Sequence, residues 1–393
     1  MEESELCKMI SIQSLHSKKR HLFIFRSTVF FDRLDVTRLN ILGSALKALK
    51  GEEPEKVPIV LQAYALVLKS IHGVSELDYY RNVKLQLEAK IEFLRMFPEV
   101  YNLPMGVLPE YGEFIGPIPT AFGGELGWHE DSPPYVLKYP INSPEDVDII
   151  IESGLPDPIE GSITSVVLSR LDYFNRNFPR DLIEECGYLE GSLFPGSLIE
   201  GAALSMGYDR FLIWMRRYPD VIHRWLGHAT DFYLKYCEAM EERVGPCSLL
   251  FIPDHMASMM GADQFNKFVL PYLNRVFSRY NRALRIWHNE GGCGYMLDSI
   301  DKLKADVWQC GPKDDLLRVK KETHFTVCGN VHPPSILKMT PRELEEKCRE
   351  LILKAAPGGR FWLGTGGGMA PGTSAWHIRA FIRSVEKFGN YPI

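Results

Sequence analysis

A regular alternation of short apolar runs with longer helical tracts begins near residue 187 and continues to the C-terminus. This alternation predicts parallel βα units, because a parallel strand needs a long connection back across the sheet, usually a helix. The predicted strands are residues 191–194, 248–252, 284–287, 307–310, 325–328 and 361–363. The predicted helices are residues 202–215, 219–243, 261–280, 296–302, 342–355 and 374–388. The pattern favours a (β/α)8 TIM barrel over an open doubly wound sheet.

The first part of the chain is less regular. Residues 39–50 predict an amphipathic helix, residues 57–61 a first buried strand and residues 77–96 a second helix. Residues 103–140 are rich in proline and glycine, which predicts an irregular excursion with short strands that lines or covers a cleft. Ser143 is a predicted helix start, since a serine cap followed by proline and acidic residues suits a helix N-terminus.

We interpret residues 39–393 as a single barrel catalytic domain. Residues 1–38 carry the cluster S-K-K-R-H and two short apolar runs without a clear period. They predict an N-terminal arm or an oligomer contact, which leaves a homodimer open.

Composition excludes several classes of function. The net charge of −5 gives no basic face for nucleic acid. No uninterrupted apolar run reaches the roughly 18 residues of a membrane span. The N-terminus has no signal-peptide core, and the eight cysteines include no CxxC pair, so they are expected to be reduced thiols. A cytoplasmic protein with small-molecule or protein partners is the expectation.

The stretch R-I-W-H-N-E-G-G-C-G-Y-M at residues 285–296 is the strongest candidate site. It runs from a strand through His288 and Glu290 into a glycine loop, and barrel active sites lie at the carboxyl ends of the strands. His288 and Glu290 predict either metal ligands or a general acid and base. The alternative is a strand-end histidine satisfied by a backbone carbonyl, beside a solvated glutamate.

Other strand ends add candidates. Asp254 and His255 follow a predicted strand and form a proton-handling or substrate-orienting pair, although Asp254 also suits a helix or turn cap. Cys310 and Cys328 end successive strands, so a thiolate from either would complete a metal site with His288 and Glu290. The alternative is that both are buried core residues. Cys293, in the glycine run, is expected to be exposed.

A glycine-rich turn, W-L-G-T-G-G-G-M-A-P, follows the last predicted strand. Its backbone amides at Gly366 and Gly367 are candidates for binding a phosphate or carboxylate group of a substrate. Turn geometry alone is the alternative explanation. Trp287 and Trp308 are candidates for binding a flat ligand, and Asn330 is a further substrate-binding candidate at a strand end.

Several segments together resemble the uroporphyrinogen decarboxylase superfamily, from residue 39 to the C-terminus. They are A-L-K-G-E-E-P-E-K-V-P-I, S-P-E-D-V-D, Y-P-D-V-I-H-R-W-L, I-P-D-H-M-A-S-M-M, I-W-H-N-E-G-G, V-C-G-N-V-H-P-P-S-I-L and G-G-M-A-P-G-T-S-A. The resemblance implies a (β/α)8 barrel. The superfamily contains both the haem-pathway decarboxylase and corrinoid-dependent methyltransferases, so it also implies one of these two activities.

The resemblance to the decarboxylase branch is incomplete, because that branch carries paired arginines near its N-terminus and residues 39–80 hold no such stretch. The thiol-methylating branch binds zinc through a histidine and two cysteines. His288 matches that histidine, Glu290 replaces the first cysteine, and the second falls at or near Gly368. This puts activation of a thiol substrate in doubt, because a zinc-bound thiol is favoured by soft thiolate ligands and the carboxylate of Glu290 is a hard ligand.

The resemblance therefore implies a corrinoid-dependent methyltransferase that removes a methyl group from an O-methyl compound, such as a methoxylated aromatic. The partner would be a corrinoid-binding protein whose Co(I) accepts the methyl group, and zinc is an implied cofactor. A second hypothesis is a decarboxylase or lyase acting on a carboxylated ring compound, with Arg282, Arg285 and Arg318 as available cations. A third is a catalytically silent binding barrel.

Overall fold

The computed structural model describes residues 41–393. The predicted arm or oligomer contact at residues 1–38 lies outside the described residues. Within the described part of the chain, no helix is both long enough and apolar enough to cross a bilayer.

Among residues 41–393, ten strands form a large parallel sheet and a separate hairpin. They are β1 Ile59–Leu61, β2 Val100–Asn102, β3 Glu125–His129, β4 Ser132–Lys138, β5 Ser192–Leu193, β6 Leu249–Pro253, β7 Leu284–Asn289, β8 Val307–Cys310, β9 Thr326–Val331 and β10 Phe361–Thr365. The large sheet has eight parallel strands in the order β2-β1-β10-β9-β8-β7-β6-β5, and β3 pairs with β4 alone. This order is that of a (β/α)8 barrel, which confirms the predicted fold.

The helices lie between and around these strands. The first nine are α1 Ile41–Leu49, α2 Ala65–Leu68, α3 Glu76–Arg81, α4 Val83–Met96, α5 Pro117–Ala121, α6 Pro144–Glu152, α7 Ile163–Asn177, α8 Arg180–Cys186 and α9 Ile199–Leu204. The others are α10 Tyr208–Arg217, α11 Pro219–Val244, α12 Ala262–Gln264, α13 Leu270–Arg279, α14 Leu297–Ile300, α15 Leu316–Glu322, α16 Pro333–Ile336, α17 Pro341–Ala355 and α18 Ala375–Phe388.

A tyrosine closes the barrel where the ladder of backbone hydrogen bonds has a gap. The strands β2 and β5 are the two edges of the parallel sheet. The hydroxyl of Tyr188 accepts from Asn102 N at 3.2 Å and donates to Val100 O at 3.3 Å. Its ring stacks on Tyr101 with centroids 5.2 Å apart. One side chain just before β5 thus pairs with backbone groups of β2.

Helix α1 covers the amino ends of the strands. The indole of Trp362 on β10 donates to Ala45 O, and Arg360 N donates to Ala48 O. The hydroxyl of Thr326, at the start of β9, donates to Leu49 O. Because this end is occupied by a helix, the opposite end of the barrel is the one available to ligands.

The predicted excursion at residues 103–140 contains the hairpin β3–β4 and helix α5. Its anchor is a buried ion pair in which Lys90 Nζ lies 2.5 Å from Glu110 Oε1. The other oxygen of Glu110 accepts from Ala65 N at 3.0 Å. This pairing satisfies both charges in the interior and ties the excursion to the chain that follows β1.

Candidate active site

His288 and Glu290 come from the end of β7. Register pairs His288 with Pro253 on β6 and with Gln309 on β8, so these residues share one face of the sheet. Phe251, two residues before Pro253, lies on the same face, and its ring centroid is 5.7 Å from the His288 ring. His288 is almost fully buried, whereas the side chain of Glu290 is 44% exposed. The pair therefore spans from the barrel interior to its open end, at the carboxyl ends of the strands. We call this open end the mouth.

His255 approaches the same point from the loop after β6. Asp254 N donates to His288 O at 2.9 Å, and the amide of Asn289 donates to Asp254 O at 2.5 Å. These bonds hold the ends of β6 and β7 together. The imidazole of His255 stacks on Phe114 of the excursion, with centroids 5.3 Å apart and planes at 23°.

The three polar side chains converge. The Nε2 atoms of His255 and His288 are 3.3 Å apart, and His255 Nε2 lies 3.9 Å from Glu290 Oε1. Ligand atoms of all three residues lie within 4.8 Å of one another. Two imidazoles and a carboxylate are a donor set that suits zinc and similar divalent ions, so these residues fit the zinc that the resemblance implied.

Both imidazoles are held from behind by buried acceptors. His288 Nδ1 donates to Gln309 Oε1 at 2.9 Å. His255 Nδ1 lies 3.1 Å from Glu200 Oε2. The other oxygen of Glu200 accepts a short hydrogen bond from the Tyr208 hydroxyl. With Nδ1 occupied on each ring, both Nε2 atoms point to the shared space.

The glycine turn after β10 shapes the position of Glu290. A Cβ at Gly367 would overlap Oε2 of Glu290, and a Cβ at Gly368 would overlap the ring of Tyr64. Gly367 has φ +127°, a conformation that favours glycine. The turn therefore leaves room for a glutamate at position 290 and a tyrosine at position 64, and a cysteine at 368 would collide with Tyr64.

Burial and neighbouring charges shift the pKa values of the two histidines in opposite directions. Burial lowers the pKa of His288 to about 3, with the nearby His255 adding to the effect. Burial opposes charge on His255 too, but the hydrogen bond and charge of Glu200 and the charge of Glu290 raise its pKa above the ordinary value. Burial raises the pKa of Glu290, which His255 partly offsets. In the metal-free chain, His255 is therefore the more basic imidazole.

Asp254 is fully buried beside this group. Burial, and secondarily Glu200, raise its pKa to about 7. Its Oδ1 accepts from Met256 N at 3.1 Å, while Oδ2 has no hydrogen-bond partner. One oxygen of Asp254 thus caps the turn, as one interpretation predicted. The other oxygen is free to hold a proton, so the proton-handling role stays a prediction.

The predicted substrate-binding residues are not all at the mouth. Trp287 and Trp308 are paired across β7 and β8. Each directly precedes a residue of the site, His288 or Gln309, so the two tryptophans lie on the opposite face of the sheet. Both are fully buried, with ring centroids 5.2 Å apart. This corrects their expected position, because side chains packed on the outer face cannot line the mouth.

Asn330 and Gly366 support loops rather than face open space. The Asn330 amide donates to Gly311 O and Asp314 O, both at 2.8 Å. Gly366 lies against Pro312, and Gly366 N donates to Val331 O. Of the predicted substrate-binding residues, Gly367 is the one that lies against a member of this group, Glu290.

Cys310 and Cys328 match the alternative of buried core residues, whereas Cys293 departs from its expected exposure. Cys310 and Cys328 are fully buried and do not belong to the group formed by His255, His288 and Glu290. The residue of β8 that faces His288 is Gln309, because neighbours along a strand point to opposite faces. Cys293, expected to be exposed, is buried, and its thiol lies 3.5 Å from Asn289 Oδ1.

Two of the three cations suggested for a decarboxylase lie at the other end of the barrel from the three polar side chains. Arg282 precedes β7, and Arg285 near the start of β7 pairs with Asp306, so both lie at the end opposite the mouth. Arg318 on α15 pairs with Glu322.

Three residues of the site were not among the candidates from the sequence: Phe114, Glu200 and Gln309. Glu200 lies in the apolar segment I-E-G-A-A-L of α9, far from His255 in sequence. Gln309 lies inside a strand of four buried residues. A buried glutamate or glutamine among apolar residues is the signal that would have found them, since such groups are retained inside only with partners.

These features define a class: a (β/α)8 barrel enzyme whose active-site face carries two histidines and a carboxylate. The sequence profile of the uroporphyrinogen decarboxylase (URO-D) family matches residues 43–388. The chain belongs to this family, as the resemblance predicted.

Characterised relatives include both activities of the superfamily. The chain is 22% identical to a uroporphyrinogen decarboxylase of Schizosaccharomyces pombe, covering 88% of this chain and 97% of the relative. It is 24% identical to a methylated-thiol–coenzyme M methyltransferase of Methanosarcina mazei, covering 67% of this chain and 68% of the relative. A solved structure of a methyltransferase from Methanosarcina mazei superimposes with a TM-score of 0.70 at 19% identity, covering 89% of this chain and 99% of that one.

Proposed function

We propose that this protein is a methyltransferase that moves a methyl group from an O-methyl compound to the Co(I) corrinoid of a partner protein. The observation that carries the proposal is the group formed by His255, His288 and Glu290, which offers nitrogen and oxygen and no sulfur. A thiol substrate would be favoured by soft thiolate ligands, whereas an oxygen leaving group matches a site of imidazoles and a carboxylate.

The reaction breaks a carbon–oxygen bond, and the electron pair stays on oxygen as the methyl group leaves. The corrinoid would supply the nucleophile, and a zinc ion, if bound, a Lewis acid for the developing charge. The chain itself has to position the oxygen and stabilise it. Without a bound ion, His255 can do so with a proton, since Glu200 supports charge on its ring. With zinc on Nε2 that nitrogen carries no proton, and the ion would take over this role.

His288 and Glu290 set the shape of this site. His288 stays neutral because it is buried, so its Nε2 lone pair remains available toward the shared space. Glu290, held against Gly367, closes the side of the mouth formed by the glycine turn. A methoxylated aromatic is the proposed donor class, with Phe114 beside His255 as an apolar surface for a ring.

The test mixes the purified chain with free cob(I)alamin and a panel of methoxylated aromatics, methanol and methylated thiols, and follows formation of the methylated corrinoid by absorbance. Turnover with a methyl ether is expected, and His288→Ala should lower it at least about a hundredfold. His324→Ala is the matched control, because His324 precedes β9 at the opposite end and pairs with Asp301.

Activity with methylated thiols alone would overturn the oxygen preference. The rival hypothesis, a decarboxylase or lyase, predicts release of carbon dioxide from a carboxylated ring compound without any corrinoid. Two of the cations available to it, Arg285 and Arg318, are paired with Asp306 and Glu322.

A further inference from the structure

We infer that His255, His288 and Glu290 form a divalent-metal centre, and that Glu200 and Gln309 are the positioning residues that make both histidines ligate through Nε2. The inference concerns the same site, and the catalytic role of the metal rests on the proposed function. The metal centre itself can be measured without any methyl donor or corrinoid.

The distances fit one shared ion. Ligand atoms at about 2.0–2.1 Å from a tetrahedral ion lie about 3.3–3.4 Å from one another. The two Nε2 atoms are 3.3 Å apart, so both rings are already placed for one ion. Glu290 Oε1 is 3.9 Å from His255 Nε2, about half an ångström beyond that spacing, and its side chain is 44% exposed and so has room to adjust.

Neighbouring side chains hold the two imidazole rings in their orientation. Gln309 Oε1 accepts from His288 Nδ1, so the lone pair of that ring lies on Nε2. Glu200 holds Nδ1 of His255 in the same way, as carboxylates do behind metal-bound histidines. Glu200 is itself buried and bonded to Tyr208, which keeps the whole arrangement fixed.

The site would keep a coordination position for a substrate. Three protein ligands converge, and Cys310 and Cys328 stand outside the group. Three ligands and one open position are typical of catalytic zinc rather than of structural zinc. The open position is where the oxygen of the methyl donor would bind.

A hydrogen bond between the two imidazoles is the competing explanation of the 3.3 Å separation. In that case His255 Nε2 carries a proton donated to His288 Nε2, and no ion is needed. The two explanations differ in ligand chemistry, so direct metal measurements separate them.

The experiment uses the full chain without a histidine tag, loaded with zinc, dialysed and analysed for metal content, and then titrated with zinc and with Co²⁺. We expect about one zinc per chain and a Co²⁺ spectrum without a thiolate charge-transfer band. His255→Ala and Glu290→Gln should each weaken zinc binding at least about tenfold, whereas Cys310→Ala, Cys328→Ala and His324→Ala should not.

Glu200→Gln and Gln309→Ala test the positioning role. Each should weaken zinc about tenfold to a hundredfold while circular dichroism shows an unchanged fold. A chain that retains no zinc after dialysis, unchanged affinity in His255→Ala, or loss of zinc in Cys310→Ala or Cys328→Ala would each overturn the inference. Methyl transfer by a chain that binds no zinc would reject the metal centre and leave the proposed function standing. A zinc-loaded chain without methyl transfer would do the reverse.

Discussion

The carboxylate of Glu290 occupies the space that a side chain at position 367 would need. Gly367→Ala should therefore push Glu290 away from His255 and lower methyl transfer at least about tenfold, since small misplacements in a site are costly. Backbone strain at φ +127° adds about 1 kcal/mol of destabilisation. Initial rates with a methyl ether, together with thermal melts, measure both effects.

Gly245→Ala is the matched control for that substitution. Gly245 also has a positive φ, +90°, but a Cβ there meets no atom within 4 Å. It should show the strain and keep full activity. Equal activity losses in the two variants would mean that backbone strain, and not displacement of Glu290, explains the effect.

Glu113 gives a prediction for pH dependence. Burial, and then the charge of Glu110, raise the pKa of Glu113 from 4.5 to about 8, while its Oε2 accepts from Tyr111 N. The folded chain keeps this proton where the unfolded chain has released it, so stability falls as pH rises from about 4.5 to about 8. Glu113→Gln keeps an acceptor for Tyr111 and removes this loss.

The melting temperature of Glu113→Gln should therefore exceed that of the wild type by a margin that grows from pH 5 to pH 8 and then stays constant. The gain above pH 8 is on the order of a few kcal/mol at most, from the size of the pKa shift. Glu152→Gln, an exposed change at the end of α6, should give parallel curves. A margin that shrinks with rising pH would show that Glu113 is ionised in the folded chain.

The residues of the site were predictable where they follow a strand directly. His288, Glu290 and His255 could be found this way, because the carboxyl ends of parallel strands meet at one face. Gln309 could not, since which residue of β8 faces His288 depends on register, and a shift by one residue would have presented Cys310 instead. Trp308 was misplaced for the same reason. Trp287 could have been excluded from the sequence, because it directly precedes His288 on one strand and so points to the opposite face.

At the scale of elements, the sequence predicted helix breaks and short elements least well. The predicted helix at 77–96 is divided at Asn82, whose side chain accepts from Leu85 N and starts α4. The predicted helix at 202–215 is divided at Gly207, with φ +85°. The strand β2 has three residues and shows no alternation, and α7 and α8 were not predicted. Such elements depend on tertiary contacts more than on local pattern.

The seam between β2 and β5 can be tested by Tyr188→Phe. The substitution removes a hydroxyl that pairs with Asn102 N and Val100 O, and leaves both backbone groups buried without a partner. We expect a loss of about 1–3 kcal/mol in the free energy of unfolding, measured by urea denaturation. Tyr135→Phe, on the exposed hairpin, should change it by less than about 0.5 kcal/mol. An unchanged stability in Tyr188→Phe would mean that packing alone closes the barrel.

At the scale of the whole molecule, large exposed apolar side chains lie in the segments that follow the carboxyl ends of four strands. Met259, Tyr295, Leu337 and Trp376 follow β6, β7, β9 and β10, and each is between 38% and 61% exposed. Apolar side chains grouped on one face often mark a protein interface. A corrinoid carried by a partner protein has to reach the mouth, so this rim is the surface that the partner would contact under the proposed function.

The rim predicts a difference between free and protein-bound corrinoid. Leu337→Asp should lower methyl transfer to the corrinoid protein about tenfold or more, because it places a charge in a contact made of apolar groups. The rate with free cob(I)alamin should stay within about twofold, since Leu337 is not among the residues that hold the methyl donor. Leu353→Asp is the matched control, because Leu353 is similarly exposed on α17, 48% against 41%. Equal losses with both acceptors would place Leu337 in the support of the active site, and no loss with either would direct the partner to another face of the barrel.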